Sequence, residues 1–206
     1  MSDWALQAKR KLFLAAASAG FVDPVSGGIP SSEIELSGIL CLCHQFRRVD
    51  WTLVPLLTTE GQPSGSVISD VVAPDAAVVT EYLLIADRTP IDADRTQIDA
   101  WGDMRADLLF IARDGNAVTL FENKIGSPLT HGRDPKSGQI GRQIDCLCSA
   151  KPGKKTYVLV TGKSFIEYGW YYSELTSACR CDDRDRIVQA YLLHWEDVFA
   201  ACRKSK

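Results

Sequence analysis

Two carboxylates and a lysine are spaced along the chain so that they could share a divalent cation and act on a phosphate. Asp107 lies in one run of apolar residues, and Glu122 and Lys124 lie in the next. The turn signal Asp114-Gly115 between the runs predicts a β-hairpin, and a two-residue loop there sets Asp107 directly opposite Glu122. Residues two apart on a strand share a face, so Lys124 projects beside Glu122. We therefore expect the three side chains to converge at one end of the hairpin.

The residues by themselves leave two interpretations of this cluster open. Like charges opposite each other on a sheet repel, so a positive group is expected between the carboxylates. That group is either Lys124 in a solvated ion pair or a divalent cation, and oxygen ligands on a rigid sheet suit Mg²⁺ or Mn²⁺. The register is also open, because a three-residue loop that includes Asn116 would set Asp107 opposite Asn123 instead.

The order of elements around the hairpin resembles that of the PD-(D/E)XK nuclease superfamily. Asp107 is followed, after fourteen residues, by Glu122-Asn123-Lys124-Ile125, then by a helix with glutamines and another strand-like run. The similarity covers roughly residues 78–200 and departs from the family's motif at Ala106, where the family has a proline. It implies a restriction-endonuclease-like core, as in uncharacterised bacterial members. It also implies cleavage of phosphodiester bonds in nucleic acid, above all DNA, in bacterial defence or DNA processing.

The same resemblance implies a role for each residue of the cluster. Asp107 and Glu122 would hold Mg²⁺ or Mn²⁺, together with the backbone carbonyl of Asn123. Lys124 would position the attacking water or stabilise the charge that develops on the phosphate. Together with Gln143, these residues form the expected catalytic set.

Two further positions complete the site that the resemblance implies. A third acid often comes from an earlier element in this superfamily, and Glu33 and Glu81 are the candidates here. The helix after the hairpin is expected to present Gln143, with Gln139 one turn earlier on the same face. RecB-like members of the superfamily have Gln-x-x-x-Tyr in this helix, and neither glutamine here is followed by that tyrosine.

Charge is distributed unevenly along the chain, although its net value is only −3. Residues 50–107 hold eleven acidic and three basic residues, whereas residues 120–164 hold eight basic and three acidic ones. Local basic surface provides affinity for phosphate, so the second segment is expected to contact nucleic acid. The alternative is that its lysines only solubilise the surface. The expected nucleic-acid-binding residues are Arg133, Lys136, Gln139, Arg142, Lys154 and Lys155.

The periodicity of apolar residues predicts an α/β fold. It indicates a mixed central sheet of four to five strands flanked by helices, with a helix and linker over residues 1–30 and a nuclease-like domain over 31–206. Ser32 and Glu35 form a capping box that begins the second helix, whose expected apolar side carries Ile34, Ile39, Leu40 and Leu42. Strands are predicted at 78–85, 105–113, 117–125, 156–160 and 187–193, with a further one at 96–101, and the helix with the glutamines at 137–150.

Composition and charge pattern exclude several classes of protein. With 46% hydrophobic residues in 206, the chain is ordinary for a globular protein and not for a disordered one. No apolar run approaches the roughly 20 residues of a membrane helix, and Lys9-Arg10-Lys11 interrupts the first helix, so we expect a cytoplasmic protein without a membrane partner. Seven cysteines, an odd number, favour thiols over a disulfide framework.

A second class of function fits the same sequence. The chain could be a catalytically inactive nuclease fold that serves as a binding or assembly module, because the tyrosine of the glutamine motif is missing and the net charge is unremarkable. The presence of Asp107, Glu122 and Lys124 favours the enzyme instead. Cleavage of both strands of a duplex would further favour a homodimer.

Overall fold

The computed structural model describes residues 3–21, 32–83, 105–125, 138–149, 153–163 and 170–202. Within these ranges the chain has an α/β fold, with one mixed β-sheet and helices on both of its faces. The strands are β1 (Pro55–Leu57), β2 (Pro63–Val67), β3 (Ala77–Leu83), β4 (Arg105–Ile111), β5 (Ala117–Lys124), β6 (Lys154–Thr161) and β7 (Val188–His194). The α-helices are α1 (Asp3–Ser18), α2 (Glu33–Gln45), α3 (Gln139–Ser149), α4 (Trp170–Arg180) and α5 (Trp195–Ala200).

The sheet of the described residues has seven strands in the order β2-β1-β7-β6-β5-β4-β3, so the prediction of four to five strands is wrong. The two extra strands, β1 and β2, form the edge beyond β7. Their sequences carry little alternating apolar pattern, since β2 reads Pro-Ser-Gly-Ser-Val. These segments are strands because they pair with neighbouring strands, and such pairing cannot be recognised from a short stretch of sequence. The strand predicted at 96–101 lies outside the described residues.

The hairpin of β4 and β5 has the register that a two-residue loop predicts, but not that loop. Leu108 pairs with Phe121, and one more step of this ladder sets Asp107 beside Glu122. The strands part after Ala112, whose amide donates to the carbonyl of Ala117 at 2.9 Å, and four residues connect them. Gly115 takes a φ of 70°, a left-handed conformation that glycine adopts without strain. The register that sets Asp107 beside Glu122 is therefore the predicted one, although the loop is two residues longer than predicted.

Strands β5, β6 and β7 run parallel, and their carboxyl ends meet at one edge of the sheet. Lys124 at the end of β5 pairs with Thr161 of β6, which in turn pairs with His194 of β7. Helix α3 lies between β5 and β6 in the chain, and α4 lies between β6 and β7. In open α/β sheets, ligands bind beyond the carboxyl ends of such strands.

Apolar side chains cover both faces of the sheet. On one face, residues of α1, α2 and α5 pack on Leu108, Phe110 and Phe121. On the other face, α3 and α4 pack on strand residues that include Leu120 and Leu159. Each side chain of this size contributes about 1.5–3 kcal/mol when it is fully buried. The N-terminal helix therefore shares the hydrophobic core of the sheet.

Helix α2 begins at the predicted capping box but buries a different face from the one expected. The hydroxyl of Ser32 accepts from the Glu35 amide, and the Glu35 carboxylate accepts from the Ser32 amide, each at 3.2 Å. Ile34 is 63% exposed and Leu42 is 40% exposed. The buried side chains follow the spacing i, i+3, i+4, i+7 that one helix face requires, namely Leu36, Ile39, Leu40 and Cys43.

Two further expectations concern the chain as a whole. No helix among the described residues is long and apolar enough to cross a bilayer. All seven cysteines fall in the described ranges, and none of them takes part in a disulfide.

His44 is buried and structural, since it contacts the carbonyl of Ala76 through Nε2 and accepts from Trp51 through Nδ1.

Candidate functional site

Glu122 is the centre of the site, and its carboxylate is buried at 1% exposure. Oε1 accepts hydrogen bonds from Lys124 Nζ at 2.8 Å and from Gln139 Nε2 at 2.5 Å. Oε2 accepts from Gln143 Nε2 at 2.7 Å. A buried carboxylate is costly unless such donors surround it. Three donors from β5 and α3 therefore hold Glu122 in one orientation.

Asp107 joins this cluster from the neighbouring strand. Its Oδ2 accepts from the backbone amide of Asn123 at 2.6 Å, so the carboxylate lies at the end of β5 next to Glu122. The Asn123 side chain points to the opposite face of the sheet, where its amide donates to the hydroxyl of Ser37 on α2. The alternation of side chains along β5 is thus the one that the sequence predicts.

A third acid reaches the site from α2. Glu33 Oε1 accepts from the backbone amide of Ile125 at 2.5 Å, directly after the last residue of β5. The Glu33 carboxylate also acts on the pKa of both Glu122 and Lys124. Of the two acids proposed for this position, the structure places Glu33 in the cluster. The backbone of Glu81 lies in β3, and its side chain is outside the described part of the structure.

The charges of the cluster shift the pKa values of its members. Burial acts to lower the pKa of Lys124, but Glu122, Glu33 and Asp107 outweigh burial and raise it. Burial raises the pKa of Glu122, against the opposing effects of Lys124 and Gln143. Lys124 is therefore an ammonium at neutral pH. The carboxylates of Glu122, Glu33 and Asp107 all act on this ammonium.

Tyr157 is the residue of this site that sequence patterns miss. It lies on β6, is fully buried, and its hydroxyl donates to Gln143 Oε1 at 2.8 Å. Burial raises its pKa well above the ordinary value, so the hydroxyl keeps its proton. The resemblance points to a tyrosine on the helix, whereas this one comes from the adjacent strand. The sequence feature that could have identified Tyr157 is a tyrosine within an apolar strand, since a buried hydroxyl needs a hydrogen-bond partner.

Gln139 and Arg142, two of the residues expected to bind nucleic acid, lie on α3 near the cluster. Gln139 donates to Glu122 and so belongs to the site itself. Arg142 is partly buried on the same helix. Arg133 and Lys136 lie outside the described residues.

The two lysines expected to bind nucleic acid lie at the other end of β6. Lys154 pairs with Ala117 and Thr161 pairs with Lys124, so seven residue steps, roughly 23 Å, separate Lys154 from the cluster. Lys155 is 7% exposed, and its ammonium donates to the carbonyl of Cys148 at the end of α3. The structure therefore does not bring these lysines to the carboxylates.

The donor set of the cluster fits a hard divalent cation. Asp107 and Glu122 offer carboxylate oxygens, the ligand type that such a cation prefers. Among the described residues, no three His, Cys, Asp or Glu side chains are arranged to enclose a metal ion. Mg²⁺ needs fewer than three such side chains, because it typically binds one or two carboxylates and completes its coordination shell with water and phosphate oxygens.

Comparison with known proteins identifies no relative of this chain. No protein-family model matches it, and neither a curated protein nor a solved structure matches it.

Proposed function

We propose that this chain is a metal-dependent nuclease with a restriction-endonuclease-like core, similar to the PD-(D/E)XK superfamily, that hydrolyses phosphodiester bonds of nucleic acid, with DNA as its main substrate. One observation supports this proposal most strongly. Lys124 is buried beside the carboxylates of Asp107, Glu122 and Glu33 at the carboxyl edge of parallel strands. Carboxylate oxygens on a rigid sheet are the ligands that Mg²⁺ prefers, and a buried lysine among them can stabilise negative charge on a phosphate.

The proposed cofactor is Mg²⁺ or Mn²⁺. Asp107, Glu122 and the backbone carbonyl of Asn123 would hold it, and Glu33 would add a further acid. When bound, it would polarise the scissile phosphate and lower the pKa of a coordinated water. In the structure both oxygens of Glu122 already accept hydrogen bonds, so Lys124, Gln139 and Gln143 would share the carboxylate with the metal.

The chain's own residues supply orientation and charge. The ammonium of Lys124 would hold the attacking water and stabilise the negative charge that grows on the phosphate oxygens. Gln139 and Gln143 keep the Glu122 carboxylate in place. Tyr157 holds Gln143 in turn, so the site is preorganised through three successive hydrogen-bonded groups.

A cleavage assay tests this proposal directly. Purified full-length chain would be incubated with linear duplex, circular duplex, single-stranded DNA and RNA, each with and without Mg²⁺ or Mn²⁺. Lys124→Met and Glu122→Gln should each lower metal-dependent cleavage by about 10²–10³-fold, the usual loss on removal of one electrostatic stabiliser. Arg113→Ala is the control, because Arg113 is 80% exposed in the hairpin connection. Undiminished cleavage in both site variants would overturn the mechanism.

A binding or assembly module without catalysis is the second candidate. It is favoured by the three donors on the Glu122 carboxylate, since both of its oxygens already accept hydrogen bonds without a metal. Calorimetric titration with Mn²⁺ separates the two candidates. Absence of binding at millimolar Mn²⁺ would favour the module, and binding that Asp107→Asn weakens would favour the nuclease.

A further inference from the structure

A row of polar residues, Lys124, Thr161 and His194, continues from the site along the same edge of the sheet. Thr161 pairs with Lys124 on one side and with His194 on the other, so the three residues are neighbours across parallel strands. Tyr157 and Leu192 contribute to the core beneath α3 and α4. Because strand side chains alternate, Thr161 and His194 face the same side as these two residues and as Glu122 and Lys124.

Two atoms of this row are buried without a hydrogen-bond partner among the described residues. They are Oγ1 of Thr161 and Nε2 of His194. A buried polar group that lacks a hydrogen bond costs about 1–3 kcal/mol. Thr156 Oγ1 has the same status, but only Thr161 and His194 are on adjacent strands next to the buried lysine, where one external polar group could reach both.

The surroundings of His194 decide which of its nitrogens is available. Nδ1 lies 3.5 Å from Asp197 Oδ2, and the other oxygen of Asp197 accepts from Lys163 Nζ at 2.7 Å. The carboxylate of Glu196 accepts from the backbone amide of Lys163 at 3.0 and 3.1 Å. Both acids next to His194 are therefore engaged, and Nε2 is the nitrogen left for a ligand.

We propose that Thr161 and His194 form a subsite for a second phosphate of the nucleic-acid strand, next to the phosphate that Lys124 and the carboxylates would engage. This inference rests on the proposed nuclease function, which places the scissile phosphate at Lys124. Adjacent strands are about 4.8 Å apart, so Thr161 lies one strand spacing from Lys124 and His194 lies two. A hydroxyl and an imidazolium are both donors to phosphate oxygens.

Protonation of His194 should strengthen this subsite. Burial lowers the pKa of His194, while Asp197 and Glu196 act to raise it and Lys163 acts to lower it. In the imidazolium form both nitrogens donate, Nδ1 to Asp197 and Nε2 to the phosphate. Phosphate binding should therefore become stronger as the pH falls, and this dependence should vanish when His194 is replaced.

Calorimetry with two small probes tests the subsite. A nucleoside 3′,5′-bisphosphate should bind the full chain at least tenfold more tightly than the corresponding 5′-monophosphate, with or without Mn²⁺, and more so at pH 5.5 than at pH 8. Thr161→Val and His194→Asn should each remove this advantage. Thr156→Val is the matched control, because the Thr156 hydroxyl is also buried without a partner among the described residues but lies near the other end of β6.

The outcomes of this experiment are separable from those of the cleavage assay. Equal affinity for both probes in the unaltered protein would overturn the subsite, as would an advantage that survives both substitutions. Thr161→Val is nearly isosteric, so it keeps the test valid if His194→Asn fails to fold. A bisphosphate advantage in a protein that cleaves nothing would contradict the nuclease and leave the subsite supported.

Discussion

The hydroxyl of Tyr157 donates to Oε1 of Gln143 at 2.8 Å, and both side chains are fully buried. Because the hydroxyl is the donor, the amide oxygen of Gln143 must face Tyr157 and the amide nitrogen must face Glu122. The orientation of the glutamine is thus set from β6, and the orientation of the carboxylate is set from α3.

Tyr157→Phe should destabilise the protein and weaken the proposed binding of Mn²⁺. The substitution removes the hydrogen bond that the Tyr157 hydroxyl donates to the buried Oε1 of Gln143, and loss of a buried partner costs about 1–3 kcal/mol of unfolding free energy. Loss of an outer hydrogen-bond partner typically lowers metal affinity by about 10–100-fold. Urea unfolding and Mn²⁺ calorimetry measure the two effects. Tyr191→Phe, at a partly buried tyrosine on β7, is the control, and equal behaviour of the two variants would contradict the role of Tyr157.

Lys124 and Glu122 should be energetically coupled. Lys124→Met leaves a carboxylate buried without its ammonium, and breaking a buried pair in this way typically costs about 3–5 kcal/mol. The double variant Lys124→Met/Glu122→Gln should cost less than the sum of the single variants. A double-mutant cycle from denaturant unfolding gives the coupling free energy, and additive effects would show that the 2.8 Å contact contributes nothing.

The same lysine should make part of the stability depend on alkaline pH. The neighbouring carboxylates raise the pKa of Lys124 above its ordinary value of 10.5 in the folded state. Its contribution is therefore fully present below pH 10.5 and is lost as the pH rises through the higher folded value. The difference in unfolding free energy between the unaltered protein and Lys124→Met should shrink over that range. A difference that stays constant up to the pH of alkaline unfolding would contradict the pKa shift.

Glu33 and Glu35 should differ in their effect on the proposed Mn²⁺ binding, although both lie in the first turn of α2. Glu33→Gln removes a negative charge beside Lys124 and Glu122 and should lower Mn²⁺ affinity by about tenfold or more. Glu35→Gln removes the same charge from the capping box, which glutamine can also complete, and should leave Mn²⁺ affinity unchanged. Calorimetry on the two variants compares them directly. Equal losses would mean that only overall charge matters.

Cys179 should be protected from alkylation, whereas Cys181 should react. Burial raises the pKa of the Cys179 thiol from 9.0 to about 12, so almost no thiolate forms at pH 8. Cys181 is only partly buried. Iodoacetamide labelling of the native protein, mapped by mass spectrometry, should modify Cys181 first and Cys179 only in denaturant. Rapid native labelling of Cys179 would show that α4 opens.

The hairpin and its cluster could be predicted because their determinants are local. Alternating apolar residues defined β4 and β5, and the turn between them set the register that brings Asp107 beside Glu122. The capping box at Ser32 likewise depends on side chains three residues apart. The four-residue connection differs from the predicted loop, but it preserves the register.

The partners of that cluster could be predicted only in part. Gln143 was expected at the site, and its amide does contact Glu122. Gln139 was expected on the same helix face and at a nucleic-acid surface, and it contacts Glu122 because the position of α3 on the sheet decides where its first turn points. Tyr157 had no role in the sequence pattern, since its contact with Gln143 joins two elements that pack only in the folded chain. The edge strands β1 and β2 depend in the same way on β7.

The sequence alone determined that a hairpin carries Asp107 on one strand and Glu122 and Lys124 on one face of the other, because turn chemistry and the period of a strand are local. It left the register open between two loop lengths. The tertiary structure decided how buried these three residues are, which third acid joins them, and which side chains hold them. It also aligned Lys124, Thr161 and His194 along one edge, since parallel strands are matched through helices that pack on the sheet. Burial and strand order are properties of the assembled core, and no local pattern encodes them.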